Sequence, residues 1–215
     1  MNQQVVNAAQ LNQTGASRLA ANELEEAQKC FQKALESVTL ASHDVCMIDS
    51  TKQEHQTKTL LIPQAPFSRD THLDSEGFVY SKPFYFNPEA TMREEDISPY
   101  GGVILFNLAL TYHERSRFSG ESSLRLALRL YDKCLILLKN ATSFDCSNVI
   151  IAALNNQARI HEVLLDFRKA SIRYKLLAEF LHQTDVRTDT LEADDLQEIL
   201  LNIFFFKIPS CAAMA

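Results

Sequence analysis

The sequence predicts an all-α protein, and three observations carry that expectation. Five of the six prolines (Pro63, Pro66, Pro83, Pro88, Pro99) fall between residues 63 and 99, and the sixth is Pro209. Proline removes a backbone donor and clashes with the preceding turn, so residues 1–62 and 100–208 are free to be helical and 63–99 is not. An alanine, an aromatic four residues further on and a packing residue three after that recur at Ala27/Phe31/Ala34, Ala127/Tyr131/Cys134 and Ala170/Tyr174/Leu177. In each case the residues stand at i, i+4 and i+7, one face of a helix. The apolar fraction is 46%, which is enough for a packed core.

The elements follow in order. Residues 1–40 read as a first helix pair, with Leu11–Leu19 in one helix and Leu24–Leu35 in the next. Residues 41–100 read as an irregular insertion. Its first part, 42–60, is polar, whereas 63–99 gathers Phe67, Phe78, Tyr80, Phe84, Tyr85 and Phe86 among the prolines. So aromatic a stretch is too apolar to float in water, and it is expected to lie as an extended or hairpin-like flap on the helices, with short strands around Gly77–Asn87. Residues 101–140 read as a second helix pair and 147–183 as a third. A last amphipathic helix is expected over 190–206, with Leu196, Ile199, Leu200, Ile203 and Phe204 as its apolar face and Asn202 interrupting the run Ile199–Phe206. The whole of 1–215 is read as a single domain.

In the first and third pairs a small residue, Gly15 or Ala158, stands twelve before the ridge alanine; in the second, Ala109 stands eighteen before. The six extra residues are expected in a turn around Ser116–Ser122. This pattern resembles the tetratricopeptide repeat in degenerate form. Leu11, Leu105 and Leu154 replace the large first residue of that family, and its closing proline is missing. The resemblance implies a TPR-like antiparallel helix-pair solenoid of about three repeats, with a C-terminal capping helix and a long Pro/aromatic-rich insertion. A plain helical bundle whose Ala/aromatic stripes are only core is the alternative.

The same resemblance implies a protein–protein interaction scaffold that binds a peptide or partner segment in a concave groove. The groove-facing positions would be Asn12, Gln13, Ala16, Asn107, Leu110, His113, Asn155, Asn156 and Arg159. Asn107 and Asn156 occupy equivalent positions in the second and third pairs. A side-chain amide both donates and accepts, so it can clamp an extended main chain whatever its sequence. The competing reading has these amides bridge neighbouring helices. One subclass of the family grips terminal carboxylates through cations, but Asn12, Ala16, Asn107, Ala152 and Asn156 stand at the matching positions and only Asn107 fits. If Phe78, Tyr80, Phe84 and Phe86 pack into the groove, the insertion fills it, and a self-contained structural or oligomeric domain becomes the alternative function.

Catalysis is not expected. His113-Glu114 and His161-Glu162 do not continue as H-E-x-x-H, since Arg117 and Leu165 stand where a second histidine would be. Phosphate loop, dinucleotide fingerprint and nucleophile elbow are all missing. No cofactor and no metal are expected. The five cysteines are scattered without a C-x-x-C pair, which favours reduced thiols and a cytoplasmic setting. Cys211–Met214 looks like a prenylation box but is followed by Ala215. A formal net charge of -6 argues against nucleic acid as a partner, and no apolar run suffices for a membrane span. Charge is segregated, with five basic and ten acidic side chains over 41–100 against eleven basic and six acidic over 112–175. This suggests an acidic ligand site or internal charge matching, but solvated helix faces with no partner are more common than either.

Overall fold

A computed structural model describes residues 3–45, 61–63, 77–86, 97–139, 146–183 and 191–207. Residues 46–60, Phe67 and the Cys211–Met214 box lie outside the described residues. Among the described residues the protein is all-α apart from one short ribbon. Its elements are α1 (Gln3–Ala20), α2 (Leu24–Val45), β1 (Leu61–Pro63), β2 (Phe84–Phe86), α3 (Ile97–Ser119), α4 (Glu121–Leu138), α5 (Ser147–Val163), α6 (Phe167–Gln183) and α7 (Ala193–Lys207). The chain forms two compact units, each with part of the insertion. One comprises 1–68 with 81–150 and the other 69–80 with 151–215, the division falling in the first turn of α5.

In the first unit α1 packs on α2, α3 on α4, and α2 on α3, while β2 lies against α1. The predicted ridges are the packing seams: Ala27, Phe31, Ala34, Ala127, Tyr131 and Cys134 are all fully buried. Gly15 of α1 lies directly against Phe31 of α2. A Cβ there would stand 2.7 Å from Phe31 Cε1, inside contact distance, so only glycine lets the two helices meet around that ring. β1 and β2 pair antiparallel, with Leu61 opposite Phe86 and Pro63 opposite Phe84. Helix α3 begins at Ile97, not after residue 100. Pro99 stands in its first turn, where a missing N–H has no intrahelical acceptor to lose.

The six extra residues of the second pair do not form a longer turn. They lengthen α3, which runs on to Ser119, and Gly120 at φ 70° makes nearly the whole reversal. The serines permit this by bonding back along the helix, Ser116 Oγ to the His113 carbonyl and Ser119 Oγ to that of Arg115. The α1–α2 turn places Asn22 at φ 60°; its amide donates to the Leu19 carbonyl and that of Glu23 to Arg18. Within the second unit the α5–α6 turn has the same construction. Leu165 stands at φ 58°, its amide donating to Glu162 and that of Asp166 to His161. Both are left-handed helix ends that satisfy the last carbonyls.

The second unit contains most of α5, with α6 and α7, and Ala170, Tyr174 and Leu177 are buried along α6. Helix α7 packs on α6, where the Tyr174 and Phe206 rings lie 4.9 Å apart. The face of α7 differs from the expected one. Leu191, Asp195, Ile199, Asn202 and Ile203 are buried, whereas Leu200 (49% exposed) and Phe204 (58%) face outward. The helix is turned to bring Asn202 inward, for a reason given by its hydrogen bonds.

Candidate functional site

Residues 84–86 form β2 in the first unit and residues 77–80 belong to the second, and in each unit asparagines hold the main chain. In the first unit the grip is on Phe84. Its amide donates to Asn107 Oδ1 at 2.9 Å, and its carbonyl accepts from Asn107 Nδ2 at 2.8 Å and Asn12 Nδ2 at 3.1 Å. Asn107 gives its second Nδ2 proton to Asn12 Oδ1 at 2.9 Å. Two residues on, Gln13 Nε2 donates to the Phe86 carbonyl at 3.0 Å. Asn12 and Gln13 come from α1 and Asn107 from α3, so a pair of helices forms the floor beneath β2. Both asparagines are fully buried, where an amide left unbonded would cost about 1–3 kcal/mol.

In the second unit the same pattern appears on Phe78. Its amide donates to Asn202 Oδ1 at 3.0 Å, and its carbonyl accepts from Asn202 Nδ2 at 2.7 Å and Asn155 Nδ2 at 3.1 Å. Asn202 also donates to Asn155 Oδ1 at 2.8 Å, as Asn107 does to Asn12. Asn156 takes Tyr80 in a two-bond grip, 2.8 Å from the amide to Oδ1 and 2.8 Å from Nδ2 to the carbonyl. Gly77 is needed at the start of this segment. A Cβ there would lie 2.6 Å from Asn202 Oδ1 and 2.9 Å from Arg159 Cζ.

The side chains of the segment are packed as tightly as its main chain is bonded. Tyr80 and Phe84 are fully buried and Phe86 nearly so. Phe84 meets Phe106 edge-on at 5.0 Å, and Phe86 lies on Tyr100 at 4.2 Å. The Tyr80 hydroxyl is pushed well above its ordinary pKa, first by burial and then by the carboxylates of Asp195 and Glu192. It stays protonated at any physiological pH.

Of the residues singled out in the sequence, Asn12, Gln13 and Asn107 thus meet on β2, and Asn155 and Asn156 meet on residues 78–80. Arg159 pairs with Glu162 one turn along α5 and lies against Gly77. His113 is apart from these amides; it is buried on α3 with its ring edge-on to Tyr131 at 6.5 Å. Sequence reasoning missed Asn202. The signal was there, since a lone amide in an otherwise apolar helical run must either face water or find a buried partner. Among the described residues no group of three His, Cys, Asp or Glu could hold a metal ion, and no helix is long and apolar enough to cross a membrane.

These side-chain amides can hold a main chain through its own N–H and C=O. The bonds from Asn12, Gln13, Asn107, Asn155, Asn156 and Asn202 go to the main chain of the segment or to one another, and these neutral amides do not exchange protons as an acid or base would. No family model, curated protein or solved structure matches the chain.

Proposed function

We propose that this protein is a non-catalytic interaction scaffold of TPR-like helix pairs, whose asparagines in each unit bind the main chain of a polypeptide segment, with residues 84–86 in the first unit and 78–80 in the second as the present occupants. One observation carries the reading. Asn107, Asn156 and Asn202 each bond both the N–H and the C=O of a single residue, at 2.7–3.0 Å. Such grips recognise backbone geometry and not a particular sequence, which is what a peptide-binding surface requires. The ridge spacing and the matched turns at Asn22 and Leu165 support the helix-pair reading.

The complete burial of Tyr80 and Phe84 favours a second reading, in which the segment is permanent core of a self-contained structural domain. One experiment separates the two. Residues 77–86 are replaced by a Gly/Ser stretch of equal length, folding is checked by circular dichroism, and the protein is screened against a random peptide display library. The scaffold reading expects selected peptides whose binding disappears on Asn107→Ala or Asn156→Ala. A folded replacement protein that selects nothing leaves only the structural reading.

A further inference from the structure

We infer that the α1–α3 face takes an extended polypeptide segment with aromatic side chains at alternate positions, docked as an added strand, and that Phe84-Tyr85-Phe86 is the copy built into the chain. The inference rests on the scaffold reading and adds to it the chemistry of the ligand.

The main-chain grip sets the register. Asn107 bonds both polar groups of residue 84, and Gln13 takes the carbonyl of residue 86. In an extended strand alternate side chains share a face, so residues 84 and 86 point the same way and 85 the other. Burial follows that alternation: Phe84 and Phe86 are buried and Tyr85 is partly exposed.

Two sockets then set the side chains. Phe106 and Tyr100, both on α3, present rings to positions 84 and 86 at 5.0 and 4.2 Å. Ring pairs at these distances reward an aromatic over an aliphatic side chain of similar area. The amides are blind to sequence, so the sockets carry the selectivity. The pairing with β1 occupies one edge of the strand while the asparagines hold its main chain from the helices, as in recognition by strand addition.

The resident segment competes with any incoming one. A tethered ligand acts at an effective concentration on the order of millimolar, so the intact chain binds an outside segment weakly.

The test inserts protease cleavage sites within 64–76 and 87–96 of the full chain, which is folded first and then cut. A fluorescein-labelled synthetic peptide of residues 77–87 is the probe, read by fluorescence anisotropy. The inference expects saturable rebinding, weakened at least about tenfold by Phe84→Ala or Phe86→Ala in the peptide and less than about threefold by Tyr85→Ala, tenfold being about 1.4 kcal/mol. Rebinding that ignores positions 84 and 86 overturns the ligand class and leaves the scaffold reading intact. A cut chain that stays folded and binds no peptide, or that unfolds once the segment is diluted away, removes both. The uncut chain supplies a second measurement. Phe86→Ala weakens the resident segment, so that chain binds the labelled wild-type peptide about tenfold more tightly than the unsubstituted chain does; no gain overturns the inference.

Discussion

Asn12 and Asn107, on different helices and 95 residues apart, share the carbonyl of Phe84 and are bonded to each other. Removing Asn107 therefore breaks three buried hydrogen bonds at once and leaves the Phe84 amide without that acceptor. Asn107→Ala is expected to destabilise the protein by roughly 2–4 kcal/mol, several times the net worth of an ordinary hydrogen bond. Asn12→Ala costs less, because Asn107 still holds both polar groups of Phe84. The double variant costs less than the sum, by about 1 kcal/mol, since each single change already spoils the shared bond. Urea denaturation of the four proteins measures this. Strict additivity would mean that the two amides do not act as one unit.

Gly77→Ala tests the second unit separately. The added Cβ meets Asn202 Oδ1 at 2.6 Å and the Arg159 guanidinium at 2.9 Å, and Asn202 is a short side chain with little room to yield. Amide exchange at Phe78 and Tyr80 should rise by about tenfold or more as their grip opens locally, with Phe84 unchanged to within about twofold. Equal protection in both proteins would show that the segment does not need the close approach at residue 77.

Much of the helical architecture was legible because proline, small-residue spacing and apolar periodicity are local signals. The density of aromatics and prolines pointed to short strands around Gly77–Asn87, where β2 lies, and the residue type of Asn107 and Asn156 announced a group able to grip a backbone. What the amides grip was not legible. Phe78 and Asn202 are 124 residues apart, and no local pattern links them. The same contact accounts for the two of the five residues assigned to the apolar face of α7 that lie outward, while Ile199 and Ile203 are buried as expected. Apolar periodicity selected Leu200 and Phe204, but bonding Asn202 to Phe78 turns those two outward. In α3, serines and a glycine between Ser116 and Ser122 read as a loop, whereas their hydroxyls bond back to helix carbonyls and the glycine alone turns the chain.

Tyr174 gives the protein a weakness to alkali. Burial pushes its hydroxyl up to about 12 against the opposing charge of Arg159, and burial raises Tyr80 further. The unfolded chain loses these protons near the ordinary tyrosine value of about 10, before the folded chain does. Their contribution is fully present below about pH 10 and is lost as pH rises toward 12, on the order of 2 kcal/mol for Tyr174 alone. The Tyr174 hydroxyl is buried without a hydrogen-bond partner among the described residues. Tyr174→Phe should therefore stabilise the protein by about 1 kcal/mol at neutral pH and move its alkaline unfolding midpoint upward. Loss of stability at pH 7 would show that the hydroxyl is held.

Leu165 is a position at which the backbone gains from a change. It sits at φ 58° and is 74% exposed, so its side chain contributes little packing while its Cβ pays the left-handed penalty of about 1–2 kcal/mol. Leu165→Gly removes that penalty but loosens the unfolded chain, and the net expectation is a gain of roughly 0.5–1 kcal/mol. Asn22→Gly, at the matching turn, should gain only a few tenths, because asparagine tolerates the left-handed region. Thermal unfolding of the two variants beside the parent decides the matter. If Leu165→Gly lowers the midpoint while Asn22→Gly leaves it unchanged, the exposed leucine is held by contacts that its exposure does not reveal.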